Sequence, residues 1–436
     1  MNNTNDFRLN FDWQDPGGAK GKELRATWAS LSIVIDDQPA TEILDRKTKT
    51  VRDSVFLPLF PLAEWIANNW WFLQVEADGP NQSTGNSFDR RHNLRWAREG
   101  FVLPSLRFIT LGQHITAQWQ PLEIFDAGIR FLAGGSALIP AGLFNERLRE
   151  FVNSVIARLD QMNVTETTLH EQWAAVENAD VDERKFCCAA ARMGEDPYAI
   201  GEELQAKILN AGRMIRNDLL DDFLSLANID RFDIEASALK VASESIYTNS
   251  DHIDALATLR KHAPSLETFE RPWETGYWFA DRLRKLLGGS HWKSQNLDQL
   301  AGHLGIDHLD RCLLPQNDDC NFLDALTGSN QQNVPKFIIQ KNGAESKQFA
   351  FCRAMFEHLI APSGRFAAVS QLRTEQQQMN RAFAAEFLAP HLSLKNDISA
   401  GTVGDEEISD LAADYGVSPL VIRHQIENHH LARVLI

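Results

Sequence analysis

The chain has 436 residues, of which 44% are hydrophobic and 23% charged, and its formal net charge is −16. At roughly 100–200 residues per domain this length predicts two to four domains, and the apolar fraction excludes a chain that is disordered throughout. No run approaches the roughly 18 to 20 consecutive apolar residues a membrane span needs. Five cysteines with no CxxC pair argue against a disulfide framework. With 59 acidic against 43 basic side chains, the chain lacks a global field for a phosphate backbone. The opening stretch 1–6 has neither a basic region nor an apolar core, so no secretory signal is expected and a cytoplasmic setting is.

Residues 1–20 read as a flexible tail. Residues 21–145 read as a Trp-rich α+β domain, since seven of the eleven tryptophans precede residue 120. Period-two or β-branched runs predict strands at 31–35, 51–57, 106–111 and 114–119, the last two joined as a hairpin through Gly112-Gln113. Pro61 opens a helix that runs to 67, and 79–87, rich in Gly, Pro, Asn and Ser, reads as a loop. Just beyond it lies the densest basic cluster, Asp89-Arg90-Arg91-His92 followed by Arg95 and Arg98. With Trp70, Trp71 and Trp96 in the same domain, Arg90, Arg91, His92 and Arg95 are the candidate surface for an anion, a nucleotide or single-stranded nucleic acid.

Residues 146–268 read as a helical region without evident catalytic groups. Leu148, Phe151, Val152, Val155 and Leu159 keep helical spacing, and further helices are expected at 183–193, 204–227 and 236–247. Cys187-Cys188 reads as packing. Residues 269–436 open with a helix at 275–287, followed by a short helix at 297–304 and a strand at 336–340. Helices are then expected at 347–360 and 374–388, and a helix pair within 404–430 closes the chain. The fold class expected is α+β, mainly helical.

Three stretches of this last region resemble the ImmA/IrrE family of zinc metallopeptidase domains. Gln348-Phe349-Ala350-Phe351-Cys352-Arg353-Ala354 resembles the start of the family's active-site helix. Asn380-Arg381-Ala382-Phe383-Ala384-Ala385-Glu386-Phe387-Leu388-Ala389-Pro390 resembles its second helix. The stretch from Ile408 through Gly416-Val417-Ser418-Pro419 to Ile422 resembles the closing helix pair. The resemblance implies a zincin-like α+β domain over 269–436. Family chemistry needs HExxH, two His one helical turn apart to hold zinc and a Glu to polarise water. Aligned on Ala354, Met355 and Leu359 stand at the His positions, Phe356 at the Glu position and Gln377 near the third ligand, so no catalytic residue and no metal ligand carries over. Cys352, Glu357, His358 and His391 remain as a candidate polar or ligand site, the one route to zinc in a chain otherwise expected to carry no cofactor.

The closing pair has the rhythm of a helix-turn-helix, and Arg423, His424, Gln425 and Asn428 are of types that contact bases. Against that stand Asp405, Glu406, Glu407, Asp410 and Asp414 on the first helix. The function expected is that of a catalytically degenerate ImmA/IrrE-like protein. It would act through contacts with a protein encoded nearby, as a regulatory, sensing or scaffold component of a prokaryotic stress, toxin–antitoxin or phage-defence system. The alternatives are a hydrolase or metallopeptidase with an unorthodox site, including one around Arg90, His92 and Glu64, and a DNA-binding transcriptional regulator.

Overall fold

A computed structural model describes residues 6–16, 19–79, 87–97, 100–249, 254–267, 269–289, 292–330, 332, 334–362, 364–398 and 401–435. With 52% helix and 18% strand spread over several small sheets, the chain is α+β and mainly helical. It divides into two compact units, 1–208 and 209–436. No described helix is long and apolar enough to cross a membrane, and none of the five cysteines is in a disulfide.

In the first unit the expected tail contains a strand. Phe7, Leu9, Phe11 and Trp13 alternate with polar residues, the period a half-buried strand requires. They form β1 (Phe7–Trp13), which pairs antiparallel along its whole length with β2 (Trp28–Ile35), from Phe7 opposite Ile35 to Trp13 opposite Ala29. Strand β3 (Val55–Pro58) pairs with the other edge of β2. The run expected as one strand at 51–57 breaks at Asp53, whose carbonyl accepts from the Thr41 hydroxyl at 2.7 Å. Its first part, Thr50–Arg52, belongs to a different sheet. Helix α1 (Phe60–Asn68) and the hairpin of β4 (Ser105–Thr110) and β5 (His114–Gln120) form where the pattern places them. Helix α2 (Ala141–Gln161) closes this core, its Phe144 ring stacked 5.4 Å from Phe7 and 4.8 Å from Phe108. The helices Thr168–Asn178 and Val181–Arg192 add Leu169, Trp173, Val176 and Cys187 to the same core, so half of the expected central helical region belongs to this unit.

The continuous helical run expected at 204–227 is two helices, Glu202–Met214 and Asn217–Leu226. Between them Arg216 leaves the helical conformation (φ −59°, ψ 140°) and its guanidinium grips Asp218 at 3.1 Å.

The second unit is built on a four-stranded sheet in the order β6 (Leu313–Leu314), β8 (Pro335–Ile339), β7 (Ala325–Ser329), β9 (Ala367–Val369). Strand β6 runs parallel to β8, and the other pairs are antiparallel. Every residue of β7, β8 and β9 is buried, even Lys336, whose Nζ donates to the Arg311 carbonyl at 2.7 Å. Helix α3 (Pro272–Leu286) precedes the sheet in the chain, and helix α4 (Ala344–Ile360) links β8 to β9. Helices α5 (Glu375–Leu388), α6 (His391–Asp397), α7 (Asp405–Tyr415) and α8 (Pro419–Asn428) follow. Thr374 caps α5 by accepting from the Gln377 amide at 3.3 Å. Helices α3 and α5 cross in backbone contact: a Cβ at Gly276 would lie 2.3 Å from the Met379 carbonyl oxygen and 2.8 Å from the Phe383 nitrogen. Gly416, in the left-handed conformation at φ 62°, turns α7 into α8.

The Gly276 crossing is testable. Gly276→Ala is expected to lower the unfolding free energy by about 3 kcal/mol, the upper range for overpacking, because the obstacle is backbone. Gly302→Ala, with nothing within 4 Å of its added methyl, is expected to be neutral or to gain up to about 1 kcal/mol. Urea unfolding of the two full-length variants reads the difference.

Candidate functional site

Helices α3, α4, α5 and α8 surround a cleft of about 950 Å³ in the second unit. Trp273 and Tyr277 enter it from α3, Phe349 and Ala350 from α4, and Arg381 and Ala385 from α5. Its floor is a buried polar cluster centred on Arg353. The Arg353 guanidinium donates to four acceptors: Nε to Asn380 Oδ1 (2.7 Å), Nη1 to Asp324 Oδ2 (2.7 Å), and Nη2 to the Ser370 carbonyl (2.6 Å) and Gln377 Oε1 (2.7 Å). Lys341 pairs with the other oxygen of Asp324. Arg353 is 3% exposed, and Gln377 and Asn380 are fully buried. Burial pulls the Arg353 pKa down, and the Asp324 carboxylate opposes that pull; a guanidinium so placed keeps its charge.

One helical turn further along α4 lies Glu357. Its two carboxylate oxygens accept from Asn380 Nδ2 (2.9 Å) and Gln376 Nε2 (2.6 Å). Burial pushes its pKa up to about 7, against the pull of these amide donors. Arg353 and Glu357 are thus the i, i+4 pair on α4 that meets the α5 residues Gln377 and Asn380. They stand two residues before the pair aligned from the sequence. Met355, Phe356 and Leu359 face the apolar core instead, where Phe356 stacks on Phe383 (4.9 Å) and meets Phe279 edge-on (5.3 Å). Gln377 lies at the cluster. Its Oε1 accepts from Arg353, the Ser370 amide (3.0 Å) and Asn380 (3.3 Å), while its Nε2 donates to the Ala368 carbonyl (2.8 Å). The centre of the cluster is itself a cation, which disfavours a metal ion beside it.

The other candidates separate. Cys352 is fully buried, and burial pushes its thiol pKa far up. Burial also holds His358 neutral, its pKa lowered to about 3, with Nε2 unpartnered. Neither joins His391 in a metal-like group. The group of three His, Cys, Asp or Glu that does converge among the described residues is Glu386, His391 and His429.

In the first unit the basic cluster is largely neutralised from within. His92 is fully buried, its ring nitrogens 2.9 Å from the Phe108 carbonyl and from Glu76 Oε2. Arg91 pairs with the same fully buried Glu76. Asp89 accepts from Trp96 Nε1 (2.7 Å) and Asn93 (3.1 Å) and pairs with Arg95 (3.3 Å). Arg90 lies 5.3 Å over the Trp96 ring, and Glu64 accepts from the Thr168 hydroxyl. Arg98 and residues 80–86 of the expected loop lie outside the described residues. Glu76 lies in a stretch of no recognisable motif and takes its role from the fold.

The closing helix pair turns its candidate base-contacting groups onto its own unit. Arg423 pairs with Asp405 at 2.6 Å, and Asn428 donates to the Tyr277 hydroxyl at 3.2 Å. Gln425 is fully buried and donates to Glu386 Oε2 (2.8 Å) and to the Ala389 carbonyl (2.9 Å). His424 lines the cleft.

No protein-family model, no curated protein and no solved structure matches the chain.

Two measurements probe the floor. Arg353→Met leaves Asp324 without its buried partner and is expected to cost about 3–5 kcal/mol of stability. The sign for Glu357 follows from its pKa, raised from 4.5 to about 7. Its burial costs nothing below the ordinary value, and stability is lost as pH rises through the interval. The stability of Glu357→Gln relative to wild type is therefore expected to improve by about 3 kcal/mol between pH 5 and pH 8; unfolding curves at the two pH values give the difference.

Proposed function

We propose that the second unit is an ImmA/IrrE-like module in which an arginine occupies the place of the metal, and that the chain works by holding a polypeptide segment of a protein partner in the cleft above it. The observation that carries the reading is the Arg353 guanidinium, tied to Asp324, Asn380, Gln377 and Ser370. Those bonds use the i, i+4 face of α4 and its α5 partners for a rigid polar floor, which has no ligand for a hydrolytic metal. Above it the cleft retains what a peptide needs, with Trp273, Tyr277 and Phe349 for apolar side chains and Gln371, Gln378 and Ser346 for backbone groups. By its resemblance the module serves a regulatory, sensing or scaffold role in a prokaryotic stress, toxin–antitoxin or phage-defence system, with the partner encoded nearby.

The hydrolase reading draws less support. Glu357, whose pKa range would suit proton transfer, is 1% exposed and held by two amides. The DNA reading also draws less, because Gln425 and Asn428 are engaged inside the unit.

Ala385→Trp tests the proposal, since Ala385 lines the cleft and an indole there fills it. Binding of the full-length chain to the product of the adjacent gene, measured by calorimetry, is expected to weaken by about tenfold or more while the unfolding midpoint is kept. Unchanged affinity in a folded Ala385→Trp protein, or steady peptide hydrolysis by the wild type, overturns it.

A further inference from the structure

We propose that Glu386, His391 and His429 bind one divalent transition-metal cation of the zinc class, which fastens the end of α8 to the junction of α5 and α6. The three residues come from separate segments. Glu386 is in the last turn of α5, His391 opens α6 just after Pro390, and His429 caps the end of α8. Their donor atoms all lie within 4.8 Å of one another. Two imidazoles and a carboxylate are a donor set that suits zinc and its neighbours.

The hydrogen bonding of the group is incomplete. His391 Nδ1 lies 2.7 Å from Glu386 Oε1, an ordinary bond. His429 Nε2 lies 3.6 Å from Glu386 Oε2, beyond bonding range, and is buried without any partner. A proton on that nitrogen has no acceptor, and a lone pair there has no donor. Gln425, fully buried beside it, gives its Nε2 to Glu386 Oε2, yet its Oε1 accepts from nothing. Two orphaned acceptor atoms around one buried carboxylate are an arrangement natural proteins avoid unless something else fills it. A cation on His429 Nε2, His391 Nδ1 and Glu386 supplies the partner that His429 Nε2 lacks. Tetrahedral bonds of roughly 2.0–2.1 Å put ligand atoms roughly 3.4 Å apart, and the 2.7 and 3.6 Å separations bracket that spacing.

The rings define what binding must change. His391 and His429 stack at 4.3 Å with planes 10° apart, and parallel planes do not meet at one ion. His429 is held between His391 and the Tyr277 ring, 4.7 Å away, whereas His391 has a third of its side chain exposed. Capture of the cation therefore turns the His391 imidazole and displaces its Nδ1 proton. The site lies apart from the Arg353 floor, nine residues beyond Gln377 on α5. It is joined to the cleft wall by Tyr277 and by Asn428, which neighbours His429.

The full-length protein, stripped with a chelator and dialysed, is titrated with Co²⁺ and then Zn²⁺. One equivalent of Co²⁺ is expected to give visible d–d bands that one equivalent of Zn²⁺ bleaches, and Zn²⁺ is expected to raise the unfolding midpoint. His429→Ala and His391→Ala are each expected to lower Co²⁺ affinity by roughly 100-fold or more with an unchanged circular dichroism spectrum. Absence of bands and of any midpoint shift at tenfold excess of metal overturns the proposal. So does wild-type affinity in either folded variant. Should one variant fail to fold, the other decides.

Discussion

The Arg353 guanidinium, buried and shared among four acceptors on different segments, is the constraint on which the second unit turns. A charge taken out of water is tolerated only when its hydrogen-bonding capacity is met and an opposite charge lies close. Asp324 supplies the charge at the edge of β7, Ser370 the carbonyl just past β9, and Gln377 and Asn380 the amide oxygens of α5. The one group thereby fixes the rotation of α4, its distance from the sheet and the phase of α5. Met355, Phe356 and Leu359 on α4 fill the core, while Phe349 and Ala350 line the cleft.

The first unit solves the same problem with Glu76. This fully buried carboxylate collects Arg91 and His92, and His92 passes the chain of bonds on to the Phe108 carbonyl in β4. In both units a short, dense cluster of ionisable residues is an internal brace. Such a cluster looks the same in sequence as a binding surface, because its counter-charge comes from far along the chain.

What the sequence showed followed from local periodicity. Helices α3, α4, α5, α7 and α8, the 105–120 hairpin and helix α1 were readable because their apolar spacing is internal to each segment. Strand β1 was readable too, in the alternation of Phe7, Leu9, Phe11 and Trp13, but its position near the chain start argued for a tail. Strands β7 and β9 were not, since buried segments of five and three residues carry no alternation. At the site, the polar partners of α4 were not legible, because Arg353 and Glu357 meet Gln377 and Asn380 only once α4 and α5 are packed together. Glu386 and His429, 43 residues apart in the sequence, meet only in the fold.

The close crossing at Gly276 has a mechanical consequence for the cleft. At Gly276 the two helices touch through peptide groups, so α3 and α5 have no room to move closer there. Two walls of the cleft, the one bearing Trp273 and Tyr277 and the one bearing Arg381 and Ala385, therefore keep a minimum spacing set by backbone. The wall formed by α8 meets that pair through Gln425, which donates to Glu386 and to the Ala389 carbonyl, and through Asn428, which donates to Tyr277; the Gly416 turn that leads into it is itself packed against the Ser294 backbone, where a Cβ would lie 2.3 Å from the carbonyl oxygen.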